Sequence, residues 1–113
     1  MSRAVEVFAD EHRVVLNPPW CFDYAAARFY LGVFIGARMD YLKVEVNLRG
    51  TQELTTPAFG FLVWLEDKLN RANGRLVVKE VGGDLVALIH SANLEHLLDA
   101  KSGQPKSARL NAA

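Results

Sequence analysis

Residues 41–48 are Tyr-Leu-Lys-Val-Glu-Val-Asn-Leu, a segment in which apolar and polar side chains alternate after the first position. Side chains on a β-strand point alternately to its two faces, so this pattern predicts a strand with one apolar and one polar face. The apolar set is Leu42, Val44, Val46 and Leu48. Such alternation is typical of a sheet that helices cover on one side only.

A helical pattern precedes this strand. Asp23 is a suitable capping residue for a helix that runs from Tyr24 to about Arg38, after the break at Pro18-Pro19. Apolar residues recur in this helix at three- and four-residue steps, which predicts an amphipathic helix with a wide buried stripe. We expect the stripe to contain Ala26, Phe29, Tyr30, Val33, Phe34 and Ala37.

A second helical pattern follows the strand, after a connecting loop at Arg49 to Glu53. Thr55-Thr56-Pro57 predicts the helix start, because proline is favoured at the first helical position and threonine is favoured as the cap before it. The helix should end near Asn73, because Gly74 is a common C-terminal signal. Its apolar stripe is expected at Ala58, Leu62, Leu65 and Leu69, with Phe61 and Ala72 at the border.

The remaining elements complete an α/β pattern. Strands are expected at Val5 to Phe8, Arg13 to Leu16 and Leu76 to Val81, and short helices at Leu85 to Ala92 and Leu94 to Asp99. Strands that alternate with helices of this length predict a partly parallel sheet in an α/β sandwich. We expect residues 1–100 to form a single domain and the polar residues 101–113 to form a flexible C-terminal tail.

The charge balance and the short apolar stretches argue against nucleic-acid-binding and membrane proteins. Thirteen Lys and Arg balance thirteen Asp and Glu, so no net charge favours binding to nucleic acid or to an anionic membrane. The N-terminus has no hydrophobic signal core, and the longest apolar stretch, Phe29 to Ala37, is too short to span a bilayer. A cytoplasmic protein without direct membrane insertion is therefore expected.

Catalytic and metal sites are not indicated by any local motif. Cys21 is the only cysteine, and the three histidines lie far from it in sequence, so we interpret it as a small buried side chain. No pair of histidines has metal-ligand spacing, and Gly82-Gly83 lacks the following Lys and Ser or Thr of a phosphate loop. We therefore expect no cofactor, no metal and no enzymatic activity.

Four short segments have a family resemblance in their order and spacing. They are Val44 to Gly50 (VEVNLRG), Leu54 to Phe59 (LTTPAF), Gly74 to Leu76 (GRL) and Asn93 to Leu98 (NLEHLL). Together they resemble the STAS family, which includes bacterial anti-sigma-factor antagonists. The resemblance implies a STAS-type sandwich, with a four- to five-stranded mixed sheet and helices mainly on one face.

The resemblance also implies a function. In this family a kinase partner phosphorylates a hydroxyl at the start of the second helix, and a phosphatase removes the phosphate. The corresponding residue is Thr56, with Thr55 as the fallback acceptor, and the expected partner is a serine/threonine kinase-type anti-sigma factor or a switch protein. The expected partner-binding residues surround this helix start: Gly50, Thr55, Thr56, Pro57, Phe59, Gly60, Val63 and Trp64.

Several alternatives remain open from the sequence. Thr56 could simply be an N-cap that stabilises the helix by about 1 kcal/mol. Phe59, Val63 and Trp64 could pack under the N-terminal strands or the tail instead of forming an exposed docking face for a partner or for a homodimer. The domain could be a constitutive STAS subunit of a larger signalling or transport assembly, and nucleotide binding is a weaker alternative.

Overall fold

A four-stranded mixed sheet forms the centre of the computed structural model, which describes residues 4–98. Its strands, in spatial order, are β1 (Val5–Phe8), β2 (Arg13–Leu16), β4 (Lys43–Asn47) and β6 (Arg75–Lys79). A separate two-stranded sheet pairs β3 (Cys21–Phe22) with β5 (Glu53–Leu54). The helices are α1 (Tyr24–Phe34), α2 (Thr56–Arg71) and α3 (Gly83–Ser91), followed by a 3-10 turn at Glu95–Leu97.

The strand directions confirm the α/β class and the mixed sheet. β1 and β2 are antiparallel, whereas β2 pairs with β4 and β4 pairs with β6 in parallel, with α1 and α2 as the crossovers. The main sheet has four strands, and the additional strands form their own small sheet instead of a fifth strand. Asp99, predicted in the last short helix, and the predicted tail 101–113 lie outside the described residues.

The strand register places six apolar side chains of β2, β4 and β6 on one face of the sheet. Val14, Val44 and Leu76 are partners across three strands, and so are Leu16, Val46 and Val78. All six are buried, and they belong to one core cluster with the apolar stripe predicted for α2. The alternation that predicted β4 therefore selects the face that the helices cover.

Helix α1 is shorter than predicted, and its buried stripe matches the prediction at Tyr30 and Phe34 but not at every position. It ends at Phe34, four residues before Arg38, because Ile35 is extended and Gly36 has a left-handed φ of 77°. Its buried residues are Ala27, Tyr30 and Phe34. Phe29 and Val33, predicted in the buried stripe, are 55% and 38% exposed. Apolar side chains occupy most of this helix surface, so their spacing did not distinguish the face that packs on the core.

Glu45 lies on the opposite face of the sheet, where the sequence predicted a polar, solvent-facing side chain. It is only 6% exposed, because valines on the two neighbouring strands and the long side chains of three cations surround it. Its carboxylate lies 3.1 Å from Arg13 Nη1, 3.3 Å from Lys43 Nζ and 3.6 Å from Lys79 Nζ. Burial alone raises the pKa of Glu45, but the Lys43 hydrogen bond and the charges of the three cations outweigh it, and the pKa is lowered.

Gly74 connects α2 to β6 at a point of close backbone approach, which generates our first prediction. A Cβ at this position would clash with the Leu42 carbonyl oxygen. We expect Gly74→Ala to destabilise the fold by about 1–3 kcal/mol, because backbone cannot move aside as a flexible side chain can. Gly32→Ala is the matched control, since a Cβ there meets nothing within 4 Å. Urea unfolding of both variants checks this, and equal stabilities would contradict it.

Glu45 generates a prediction about pH. Because its pKa in the folded protein is below the ordinary value of 4.5, its stabilising contribution is present above that pH and is lost as the pH falls through the folded pKa. At neutral pH we expect Glu45→Gln to reduce the free energy of unfolding by about 1–2 kcal/mol, because partly exposed cations lose their shared carboxylate. Denaturant unfolding should show this deficit shrinking below pH 4.5, whereas a constant deficit would contradict the assignment.

Candidate functional site

The start of α2 has a different cap from the one predicted. Thr55, with φ −111° and ψ 170°, is the N-cap residue, and Thr56 and Pro57 are the first helical residues, so the interpretation of Thr56 as the cap is wrong. The Thr55 side chain makes no capping hydrogen bond to α2. Its hydroxyl instead donates to the Phe22 carbonyl oxygen at 2.7 Å. No side chain caps the first turn of α2, and the Thr55 carbonyl oxygen accepts the first backbone N–H bonds of the helix at 3.0 and 3.2 Å.

The two candidate acceptor hydroxyls lie in different environments. Thr55 is half-buried, and its hydroxyl is held against the chain of β3. Thr56 is exposed, and its hydroxyl has no hydrogen-bond partner within residues 4–98. Of the two, Thr56 is the hydroxyl that an external reagent or enzyme can reach without breaking an existing hydrogen bond.

A pair of extended segments holds this helix start in place. Cys21 and Phe22 pair in parallel with Glu53 and Leu54. The Trp20 carbonyl accepts hydrogen bonds from the backbone N–H groups of residues 52 and 53, at 2.8 and 3.0 Å. The sequence predicted a break and a connecting loop for these segments, because two-residue strands are too short to show periodicity. The pairing brings the starts of α1 and α2 together.

An aromatic cluster joins α1 and α2 beneath the surface. Phe61 lies at its centre, with ring centroids 5.9 Å from Tyr30, 6.2 Å from Phe22, and 6.3 Å from both Phe34 and Trp64. The sequence placed Phe61 at the border of the α2 stripe, but it is 5% exposed. Burial raises the pKa of Tyr30 to about 12, and its hydroxyl donates to the Ala4 carbonyl at 3.1 Å.

Above this cluster, α1 and α2 enclose an open groove, here called the α1–α2 groove. One part has a volume of about 600 Å³, and it continues toward the helix ends into a second part of about 590 Å³ that shares Ile35 and Trp64. The lining of the first part is mostly apolar, with one charged residue, Arg28, and it consists of Tyr24, Ala27, Arg28, Leu31, Ile35, Pro57, Gly60, Phe61 and Trp64. A groove of this shape and chemistry can accept an apolar side-chain row from another molecule.

The structure brings together some of the predicted partner-binding residues and separates others. Pro57, Gly60 and Trp64 line the α1–α2 groove. Val63 is 51% exposed on α2, whereas Phe59 is half-buried against the core. Gly50 lines a different cavity, beside Pro18 and Trp20.

Helix α1 contributes a wall of the groove that the sequence analysis missed. Tyr24, Arg28, Leu31 and Ile35 follow one another at three- and four-residue steps along α1 and its end. Tyr24 and Ile35 are 61% and 63% exposed. This spacing was visible in the sequence, but the competing stripe through Phe29 and Val33 has the same period.

The described residues offer few groups for covalent or metal chemistry. Burial, followed by the hydrogen bond and charge of Glu53, raises the pKa of the Cys21 thiol above its ordinary value, which keeps the thiol protonated at neutral pH. Within residues 4–98, no group of three or more His, Cys, Asp or Glu side chains could hold a metal ion. None of the helices in this range is long and apolar enough to cross a membrane.

Comparison with known proteins identifies no relative of this chain among family models or curated proteins. The features available for assigning a function are therefore the chain's own: an exposed hydroxyl at Thr56, an uncapped helix start, and an adjacent apolar groove.

The different environments of Thr55 and Thr56 predict different effects of the same substitution. Thr55→Val removes the hydroxyl that donates to Phe22 and should reduce the free energy of unfolding by about 0.5–1.5 kcal/mol. Thr56→Val removes an exposed hydroxyl without a partner and should change stability by less than about 0.5 kcal/mol. Urea unfolding of the two variants measures the difference, and a larger loss of stability for Thr56→Val than for Thr55→Val would contradict these hydrogen-bond assignments.

Proposed function

We propose that this protein is a phosphorylation-gated protein-binding regulator: a STAS-type domain of the anti-sigma-factor antagonist kind. Its partner is a serine/threonine kinase-type anti-sigma factor or a similar switch protein in the cytoplasm. The partner phosphorylates Thr56, and a phosphatase reverses the modification. The domain itself performs no catalysis and requires no cofactor.

The observation that carries this proposal is the exposed hydroxyl of Thr56 at the first residue of α2, next to an apolar groove. A modifiable hydroxyl acts as a gate only if it lies beside the surface that the partner covers. Pro57, the next residue, lines the α1–α2 groove. The mixed sheet with parallel crossovers through α1 and α2 is also compatible with the STAS-type fold that the sequence resembles.

The proposed gate works by local electrostatics and desolvation. A phosphate on Thr56 adds nearly two negative charges. The helix N-terminus stabilises these charges in the free protein, because they would lie beside the Thr56 N–H, which has no acceptor among residues 4–98, and at the positive end of the α2 dipole. A partner that covers the helix start would have to remove water from the phosphate, which is unfavourable. The unmodified protein therefore binds the partner and the phosphorylated protein releases it, without a conformational change in the domain.

Phosphosite mapping on protein from its native cells tests this proposal. We expect phosphate on Thr56 and none on the Thr56→Ala variant. Thr55→Val serves as the control for the neighbouring hydroxyl and should still be phosphorylated at Thr56. The isolated partner complex should weaken by about tenfold or more on phosphorylation, because a buried unpaired charge is costly.

Absence of phosphate on Thr56 would contradict the proposal of a phosphorylation gate. If no growth condition produces phosphate on Thr56, and Thr56→Ala binds the same proteins as the wild type, the gate does not exist. The domain would then act as a constitutive subunit of a larger signalling or transport assembly.

A further inference from the structure

Gly60 occupies a mid-helix position that the fold of this chain does not explain. Glycine weakens a helix relative to alanine, because it loses more conformational freedom on folding. A Cβ at Gly60 would meet nothing within 4 Å, and its backbone is not left-handed. Within the described chain, neither packing nor backbone conformation requires glycine here. Its effect is to keep the wall of the α1–α2 groove low.

The charges around the groove are unbalanced. Arg28 lines the first part of the groove, and its Nη1 donates a hydrogen bond to the Tyr24 hydroxyl at 3.2 Å. Lys68 lines the second part. Within residues 4–98, neither cation forms an ion pair with a carboxylate, whereas Arg38 is paired with Asp40 at 3.2 Å. The charge left unneutralised along the groove is therefore positive at both ends.

These observations describe the molecule that would fill the groove. The groove lies between two helices, and a third helix is a natural occupant, because its side-chain ridges fit between them. Its buried side would be apolar, to cover Ile35 and Trp64, and carboxylates would flank that side to meet Arg28 and Lys68. A second copy of this groove fits poorly, because symmetric pairing would bring the same unpaired cations together.

We infer that the α1–α2 groove binds an amphipathic helix of a partner protein, with Asp or Glu residues flanking the apolar stripe of that helix. This inference rests on the proposed function, because it names the part of the regulatory partner that docks beside Thr56. It also supplies a reason for the gate. A phosphate on Thr56, next to Pro57 at the groove, repels an acidic helix and competes with its carboxylates for Arg28.

A display library of helical peptides of about 15 residues, selected on the full chain, identifies the preferred occupant; this length spans about 22 Å. We expect enriched peptides to combine an apolar stripe with flanking Asp or Glu. For the best peptide, an analogue with Lys in place of each flanking acid should bind about fivefold more weakly, because two exposed ion pairs become repulsive. The difference should shrink at high salt.

Two glycine substitutions test the location of binding. Gly60 and Gly32 are both glycines within a helix where a Cβ meets nothing within 4 Å, but of the two Gly60 lines the groove, whereas Gly32 lies in the last turn of α1. Gly60→Gln should weaken binding of the acidic peptide by about tenfold or more, because its side chain fills the groove. Gly32→Gln should bind like the wild type. Neither variant should have a lower melting temperature, because glutamine favours a helix more than glycine does.

Charge reversal provides a test that does not depend on filling the groove. Arg28→Glu should reverse the preference, so that the Lys-substituted peptide binds more tightly than the acidic one. The inference is wrong if acidic and Lys-substituted peptides bind equally, if Gly60→Gln and Gly32→Gln behave alike, or if no peptide is enriched. It is also wrong if the protein alone is a dimer that Gly60→Gln dissociates, because the groove would then bind a second copy.

Thr56→Glu separates this inference from the proposed function. If Thr56→Glu weakens binding of the acidic peptide, the result supports both the acidic occupant and the gate. If the peptide binds through Gly60 and Arg28 but is insensitive to Thr56→Glu and to phosphate on Thr56, the groove remains a helix-binding site and the gating proposal fails.

Discussion

The parallel pairing of β3 with β5 is the constraint on which the candidate site depends. These two-residue strands are more than thirty positions apart in sequence, yet they join the chain before α1 to the chain before α2. The Thr55 hydroxyl adds a hydrogen bond to the Phe22 carbonyl across the same junction. Because both helices leave from this point, their first turns lie together and the α1–α2 groove opens between them. The hydroxyl that would ordinarily cap α2 is used for this connection.

The α1–α2 groove has a filled floor and an open outer side. The Phe61 ring contacts aromatic rings from α1, from α2 and from β3, so the space between the two helices is filled on the core side. On the outer side, small or short residues such as Ala27 and Gly60 leave a depression between Tyr24 and Trp64. An aromatic base with an apolar outer rim gives a groove that the fold forms without any other molecule, and a preformed surface lowers the entropic cost of docking.

Local sequence signals predicted much of the fold. Strands β1 and β2 have the predicted bounds, and Asp23 caps α1 through a hydrogen bond from the Ala26 N–H at 3.1 Å. The stripe predicted for α2 is buried at all four positions. These features depend on residues a few positions apart, whose spacing is visible along the chain. For α1 the prediction was correct for Tyr30 and Phe34 but wrong for Phe29 and Val33, because apolar residues occupy most of the helix surface and periodicity alone does not show which of them face the core.

By itself, the sequence determined the alternation of strands and helices, the apolar face of β4 and the position of a hydroxyl pair at the start of α2. Tertiary structure decided which of those hydroxyls is exposed, since the Phe22 carbonyl lies thirty-three residues from Thr55 in sequence. It also decided that Glu45 is buried among three cations, two of them from neighbouring strands, and that Arg28 shares a groove with Gly60. The physical reason is the range of the interactions. Capping and periodicity depend on residues within one or two turns of each other. Strand pairing and helix packing join segments that are far apart in sequence, and no local pattern predicts which segments will meet.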